Sequence, residues 1–169
     1  GYRIVFRVTF GKIKDSIQID IGIGDLVTPI STEILLSRYN GKPILEDKMI
    51  LNVYPVESIF AEKLETLIYR GGINSRMKDF QDLWLILKNT NILNDRKLRE
   101  AILNTFQNRG TTLLIPISFS DGDLSNLQKL WVAHLRSLGT RGKGIILPQR
   151  IENILEEINI KIHMLKLDE

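Results

Sequence analysis

The stretch Tyr54–Ile86, YPVESIFAEKLETLIYRGGINSRMKDFQDLWLI, decides how the middle of the chain folds. Apolar residues recur at the spacing of an amphipathic helix on both sides of the pair Gly71-Gly72. Because glycine readily adopts the left-handed backbone conformation that ends a helix, this pair predicts the end of the first helix. The stretch therefore predicts two helices joined by a short turn.

Six charged residues lie in this predicted pair of helices: Lys63, Arg70, Arg76, Lys78, Asp79 and Asp82. Lys63 and Arg70 share one face of the first helix, and Asp79 and Asp82 share a face of the second. If the two helices pack together, the bases and acids can meet. Two interpretations stay open. In one, an ion-pair network fixes how the helices cross. In the other, the cations bind the phosphates of a nucleotide and the aspartates hold the cations in place.

Upstream, the sequence changes to the alternation of apolar and polar residues that is typical of strands. Residues 3–10 and 16–21 alternate on either side of the turn GKIKD, which predicts an antiparallel hairpin. The isoleucines of the second strand are expected to face the core. Asp20 then stands on the opposite, open face, where it could meet a ligand or only solvent.

The remaining segments complete a mixed fold. STEILLSRY, residues 31–39, predicts a short helix capped by Ser31 or Thr32, and KMILNVYP predicts a third strand. Helical periodicity returns around residues 95–108, 123–137 and 148–160. The sequence thus predicts an α+β protein, with strands in residues 1–54 and a helical domain in residues 55–169.

Aromatic and histidine side chains in these helices favour structural roles. Trp84 and Trp131 lie at apolar helical positions and are interpreted as core residues. His134 and His163 have no neighbouring carboxylate or serine in the sequence that indicates catalysis, so packing or surface roles are favoured.

The composition is that of an ordinary globular protein, with 169 residues, 43% of them hydrophobic and 25% charged. No apolar run approaches the ~20 residues of a membrane-spanning helix, so no membrane partner is predicted. The absence of cysteine excludes disulfides and thiolate metal sites, and the cytoplasm is the predicted location. The net charge of +3 favours an anionic partner only weakly.

One segment concentrates basic residues. RSLGTRGKGIILPQR, residues 136–150, contains four cations and no acid: Arg136, Arg141, Lys143 and Arg150. This segment is interpreted as a solvated loop, with contact to a phosphate as the alternative.

At the helix pair the chain resembles the AbiEii/AbiGii toxin family of nucleotidyltransferase-like proteins. The resemblance rests on AEKLETLIYRGGINSRMKDFQDLW, where all six charged residues match the family pattern. IQIDIGIGD and YPVESIFAEKL upstream, and AILNTFQNRGT and LQKLWVAHL downstream, are also similar to the family. The resemblance covers most of the chain.

The resemblance implies a DNA-polymerase-β-like nucleotidyltransferase fold, of which residues 1–54 would be part of the sheet. It implies a toxin of a bacterial toxin–antitoxin or abortive-infection system that acts in phage defence. Such a toxin transfers a nucleotide from a nucleoside triphosphate to an RNA such as tRNA, with Mg²⁺ as cofactor and a cognate antitoxin as partner.

The residue roles follow from the same resemblance. Lys63 would bind the triphosphate, and Arg70, Arg76 and Lys78 would add further positive charge. Asp79 and Asp82 would organise the catalytic site, and Asp20 would be a catalytic carboxylate that binds the metal.

One part of the family pattern is missing from this sequence. The family carries a Gly-rich, Ser-containing turn followed by an Asp-x-Asp pair, and no such motif precedes the helix pair. The pair Asp121 and Asp123 in SFSDGDLS is interpreted as a turn and helix cap, and Asp25 as a turn residue with a minor site role. We therefore expect a truncated chain that does not bind Mg²⁺ or transfer nucleotides by itself.

Two further expectations follow from the truncation. The strand edges of residues 3–10 and 16–21 would be left unpaired and would favour self-association. The alternative to an enzyme is a non-catalytic remnant or interaction module that binds an antitoxin or RNA.

Overall fold

The computed structural model of the protein describes residues 1–24, 28–34, 37–43, 48–89, 91–139 and 144–167. In these residues the chain begins with antiparallel strand pairs and continues with helices. The strands are β1 (Tyr2–Phe10), β2 (Ile13–Ile21), β3 (Ile30–Ile34), β4 (Arg38–Tyr39), β5 (Lys42–Pro43) and β6 (Met49–Val53). The helices are α1 (Val56–Arg70), α2 (Met77–Lys88), α3 (Asp95–Arg109), α4 (Asp121–Leu138) and α5 (Ile151–Met164). The predicted α+β class is confirmed.

The predicted N-terminal hairpin is present as β1 paired with β2. Ile4 lies opposite Ile19 and Arg3 opposite Asp20, so apolar and polar residues segregate to opposite faces. The expectation that the isoleucines of β2 face a core is wrong, because no helix among the described residues packs on the hairpin. The affected side chains are all exposed: Ile17, Ile19 and Ile21.

The predicted helix at residues 31–39 is also wrong. Ile30–Ile34 forms β3, which pairs with the predicted third strand, β6. Ile30, Thr32 and Ile34 are β-branched and alternate with polar residues, a pattern that suits a strand better than a helix. Ser31 caps no helix and instead donates its hydroxyl hydrogen bond to Asn52 Oδ1 on β6.

The helices enclose the core of the described structure. α1 packs between α2 and α3, and α5 packs on α2 and α4. Trp131 on α4 is completely buried, as predicted, and its indole donates to the Pro148 carbonyl. Trp84 is only partly buried at the edge of the core, where the Lys88 ammonium lies 4.5 Å from its ring centre.

α4 begins against the turn between α1 and α2. Ser120 caps α4 by accepting from the Asp123 amide, so the predicted cap is displaced by one residue and Asp121 and Asp123 lie in the first helical turn instead. Asn126, one turn further on, donates to the Gly72 carbonyl. A Cβ added to Gly72 would lie 2.4 Å from Asp123 Cβ. Only a glycine therefore allows α4 to approach the turn this closely.

Candidate functional site

The candidate site lies where α1 and α2 are joined. α1 ends at Arg70 because Gly71 adopts a φ of 56°, and the chain then makes a single 3-10 turn over Gly71–Ile73. Asn74, which is fully buried, accepts from the Arg76 amide through its side chain and so shapes the entry into α2. This short connection holds the charged residues of α2 beside those of α1.

Lys63 is the centre of the charged cluster. Its ammonium lies 2.7 Å from Asp79 Oδ1 and 2.8 Å from Asp82 Oδ2. The predicted meeting of acids and bases between the two helices is therefore confirmed for Lys63. Because an ammonium has three donors, these two contacts leave one donor for another acceptor.

The protonation of Lys63 follows from its surroundings. Burial by itself lowers the pKa of the Lys63 ammonium, but the hydrogen bonds and charges of Asp79 and Asp82 outweigh burial and raise that pKa above its ordinary value. Lys63 is thus a fixed positive charge at neutral pH.

Arg76 shares Asp79 with Lys63 but is much more accessible. Its Nε lies 2.6 Å from Asp79 Oδ2, while the side chain is 55% exposed and that of Asp79 only 4%. This contact leaves the two terminal amino groups of the guanidinium free of partners among the described residues. A guanidinium held in this way presents the geometry that binds a phosphate through two hydrogen bonds.

An open cleft of about 550 Å³ lies beside this cluster. Lys63, Arg76 and Asp79 form one side of it together with Lys78, which is exposed. α4 forms the other side with four residues: Leu130, Ala133, His134 and Ser137. We call this space the first cleft. Its walls place three cations next to carboxylates that already have partners.

A second, smaller cleft of about 320 Å³ shares Lys63, Arg76 and Asp79 with the first. Its other wall carries Arg109, the last residue of α3, which lies 2.6 Å from the buried carboxylate of Glu65. Arg109 does not stand out in the sequence, because its partners on α1 are more than 40 positions away in the chain. Its position just before Gly110 at the end of a helix was the available signal.

His134 was predicted to have a packing or surface role, and the structure also places it on the wall of the first cleft. Its Nε2 lies 2.7 Å from the side-chain oxygen of Gln81, and its ring stacks on Trp131. Burial lowers the pKa of His134, and the charge of Asp82 offsets part of that effect. The imidazole is therefore neutral at pH 7.

Asp20 lies on the hairpin, where its carboxylate accepts from Arg3 at 2.7 Å and from Gln18 at 2.9 Å. The hydrogen bond from Arg3, followed by that from Gln18, holds the pKa of Asp20 below its usual value. Within the described ranges, no group of three or more His, Asp or Glu side chains is arranged to hold a metal ion. These residues do not form a complete Mg²⁺ site, and Asp20 as a metal ligand stays a prediction.

The other predicted cations are dispersed. Arg70 is exposed at the end of α1 and lines neither cleft. Arg150 pairs with Glu152 at 2.9 Å in front of α5, which supports the solvated interpretation of that residue. Asp25, Arg141 and Lys143 lie outside the described residues.

The fold and the site are those of an α+β protein with an open cleft lined by cations. A family model described as nucleotidyl transferase AbiEii toxin, type IV toxin–antitoxin system, matches residues 1–157. The chain therefore belongs to this family of nucleotidyltransferase toxins, whose members act in toxin–antitoxin systems and have a cognate antitoxin. Searches of curated proteins and of solved structures returned no match. Among the described residues, no helix is long and apolar enough to cross a membrane.

Proposed function

We propose that the chain binds the triphosphate of a nucleoside triphosphate in the first cleft, as part of a toxin that transfers a nucleotide to an RNA such as tRNA. One observation carries this proposal: Lys63 and Arg76 are held by the same buried carboxylate, Asp79, at the side of an open cleft. Membership of the nucleotidyltransferase toxin family supports it. We further propose that the toxin acts in the cytoplasm in phage defence by abortive infection.

Each cation has a different proposed role in binding a polyphosphate. Arg76 contacts one phosphate through its terminal amino groups, and Lys63 donates its remaining hydrogen to an adjacent oxygen. Lys78, exposed on the first turn of α2, adds a third charge at the mouth of the cleft. Arg70 contributes only long-range attraction, because it lines neither cleft.

Asp79 and Asp82 act as positioning residues in this proposal. Both carboxylates are occupied by Lys63, and Asp79 also by Arg76, so they fix the cations rather than repel an incoming phosphate. Cations that are oriented before the ligand arrives lose less freedom on binding than flexible surface side chains do.

Mg²⁺ is the proposed cofactor of the transfer step. When bound, it would neutralise charge on the reacting phosphates. Asp20 would supply one carboxylate ligand, and the described residues do not supply a complete set of metal ligands.

We also propose that residues 1–54 form a sheet region distinct from the helical domain of residues 55–169.

Titration calorimetry with each of the four nucleoside triphosphates tests the binding proposal. Replacing Arg76 and Lys78 together by Gln is expected to weaken binding by about a hundredfold or more, because each lost charge-assisted hydrogen bond contributes about 1.5–3 kcal/mol. Arg96→Gln is the matched control, because Arg96 is an exposed cation on α3 that lines neither cleft. Equal affinities for all three proteins would contradict the proposal.

Transfer is tested separately by incubating the complete gene product with labelled triphosphates, Mg²⁺ and total tRNA. RNA labelling that is lost when Arg76 is replaced is the expected result.

The second candidate function is a non-catalytic interaction module that binds an antitoxin or RNA, and the exposed apolar face of the β1–β2 hairpin favours it. Binding of an antitoxin or RNA without nucleotide binding or transfer would support the module.

A further inference from the structure

Two exposed cations on α4 lie about one helical turn to either side of a residue that lines the first cleft, and one of them, Arg136, belongs to this helix rather than to the predicted loop of residues 136–150. Ala133 on α4 lines the cleft. Its neighbours on the helix surface are Lys129, four positions earlier in the chain, and Arg136, three positions later. Both side chains are exposed, and neither forms an ion pair or hydrogen bond with another described residue. They lie about 10 Å apart along the helix axis, given a rise of about 1.5 Å per residue.

The opposite wall of the cleft is positive as well. Arg76 and Lys78 lie there, and the nearby carboxylates of Asp79 and Asp82 are paired with Lys63. The neutral imidazole of His134, which lies on the α4 wall, does not offset these positive charges. The mouth of the first cleft therefore carries cations on both sides, and an extended polyanion can contact both at once.

The chemistry of this surface fits nucleic acid better than protein. Protein interfaces have an apolar or aromatic centre. α2 and α4, both described in full, expose no large apolar side chain, and the exposed residues beside the two cations are small or polar. Binding to a nucleic-acid backbone needs cations and polar groups rather than such a centre.

We propose that Lys129 and Arg136 bind the phosphate backbone of the nucleic-acid acceptor and direct its reacting end into the first cleft. This inference rests on the proposed function, because it takes the first cleft to be the place where the triphosphate binds. The acceptor backbone follows the exposed side of α4, and the nucleotide occupies the opposite wall at Arg76 and Lys78.

The test measures binding of fluorescently labelled total tRNA to the full 169-residue chain by anisotropy, over a series of salt concentrations. Replacing Lys129 and Arg136 together by Gln is expected to weaken binding by about tenfold. It should also make the slope of log K against log salt shallower by about 1.4 to 1.8, since each lost phosphate contact removes about 0.7 to 0.9. Lys12→Gln with Lys14→Gln is the control, because it removes the same charge from the exposed tip of the hairpin.

The possible results separate this inference from the proposed function. A salt slope that is unchanged, or changed equally by the control, would overturn the inference even where the triphosphate still binds. Loss of antitoxin binding with tRNA binding intact would assign the surface to a protein partner and would also overturn it. Failure of the unaltered chain to bind any triphosphate, with the tRNA result as expected, would contradict the proposed function alone.

Discussion

At the scale of single residues, Lys63 and Arg76 contact the same carboxylate but are expected to differ greatly in their effect on stability. Lys63→Ala leaves Asp79, which is 4% exposed, and Asp82 without their shared cation, and we expect a loss of about 3 kcal/mol. Arg76→Ala removes a contact from a side chain that is 55% exposed, and we expect a loss of about 1 kcal/mol or less.

Urea denaturation of the two variants and the unaltered protein measures this difference. The slope of the free energy of unfolding against urea should stay constant, so that the midpoints can be compared directly. Equal losses for the two variants would mean that the pairing of Lys63 contributes no more than an ordinary surface ion pair. Because Lys63→Ala also changes the fold stability, Arg76 is the better residue for testing ligand binding.

His134 predicts a specific dependence of stability on pH. Burial lowers the pKa of His134 in the folded protein below the ordinary value of 6.5. The neutral ring therefore contributes stability that is fully present above pH 6.5 and is lost as pH falls through the lower pKa of the folded state. We expect the melting temperature to fall over this acidic range, and to fall less in His134→Gln.

His163 provides the control for this measurement, because it is exposed near the end of α5. His163→Gln should keep the acid dependence of the unaltered protein.

The pKa of Lys63 is raised in the folded protein, so the contribution of Lys63 to stability is present at neutral pH. That contribution is lost only in strong base, as pH rises through the raised pKa. The two groups therefore act in separate ranges of pH.

At the scale of elements, the contact between α4 and the α1–α2 turn depends on Gly72. Gly72→Ala would place a methyl group 2.4 Å from Asp123 Cβ, an atom that rotation of the Asp123 side chain cannot move away. We expect a loss of about 1–3 kcal/mol, the usual range for overpacking. Gly122→Ala is the matched control, because the nearest atom would be 3.9 Å away and alanine favours the helix.

Chemical denaturation measures both glycine variants, and circular dichroism shows whether the helix content is kept. A stable Gly72→Ala protein would mean that α4 can move away from the turn without cost. Triphosphate binding by Gly72→Ala adds a second measurement, because α4 forms one wall of the first cleft.

The elements that sequence predicted correctly are those whose signals are local. The two helices around Gly71 and the β1–β2 hairpin follow from neighbouring residues alone. Residues 31–39 were wrongly predicted to be helical because Ser31 and Thr32 fit a helix cap. The strand β3 forms there because it pairs with β6, which lies about twenty positions away in the chain.

In the candidate site, too, the residues predicted from the sequence are those whose signals are local. Lys63, Asp79 and Asp82 were found because helical spacing places them on facing sides of one short connection. The positions of Arg109 and His134 on the cleft walls could not be predicted, because each depends on how α3 or α4 packs against the other helices. Such contacts between distant segments leave no periodic signal in a single sequence.

At the scale of the whole molecule, the hairpin predicts self-association. β1 and β2 form a two-stranded sheet whose outer edges pair with no strand among the described residues and whose apolar face no described helix covers. We expect the isolated chain to associate reversibly through residues 3–10 or 16–21 as its concentration rises. Phe6→Lys should weaken this association, because it places a charge on the apolar face.

Sedimentation velocity over a range of concentrations measures the association. Thr9→Lys is the control, because it adds the same charge to the same strand on the opposite face. A chain that remains monomeric at every concentration would contradict the prediction. Equal effects of the two substitutions would indicate repulsion by net charge rather than contact through the apolar face.

The pairing of Lys63 with two aspartates also limits how this protein can change over generations. A substitution that removes the lysine leaves Asp79 paired only with Arg76 and leaves Asp82 without a partner among the described residues, and the intermediate is less stable than either the starting protein or a fully apolar replacement. Positions 63, 79 and 82 must therefore change together or not at all. Related genes are expected to keep or lose the three residues as a set.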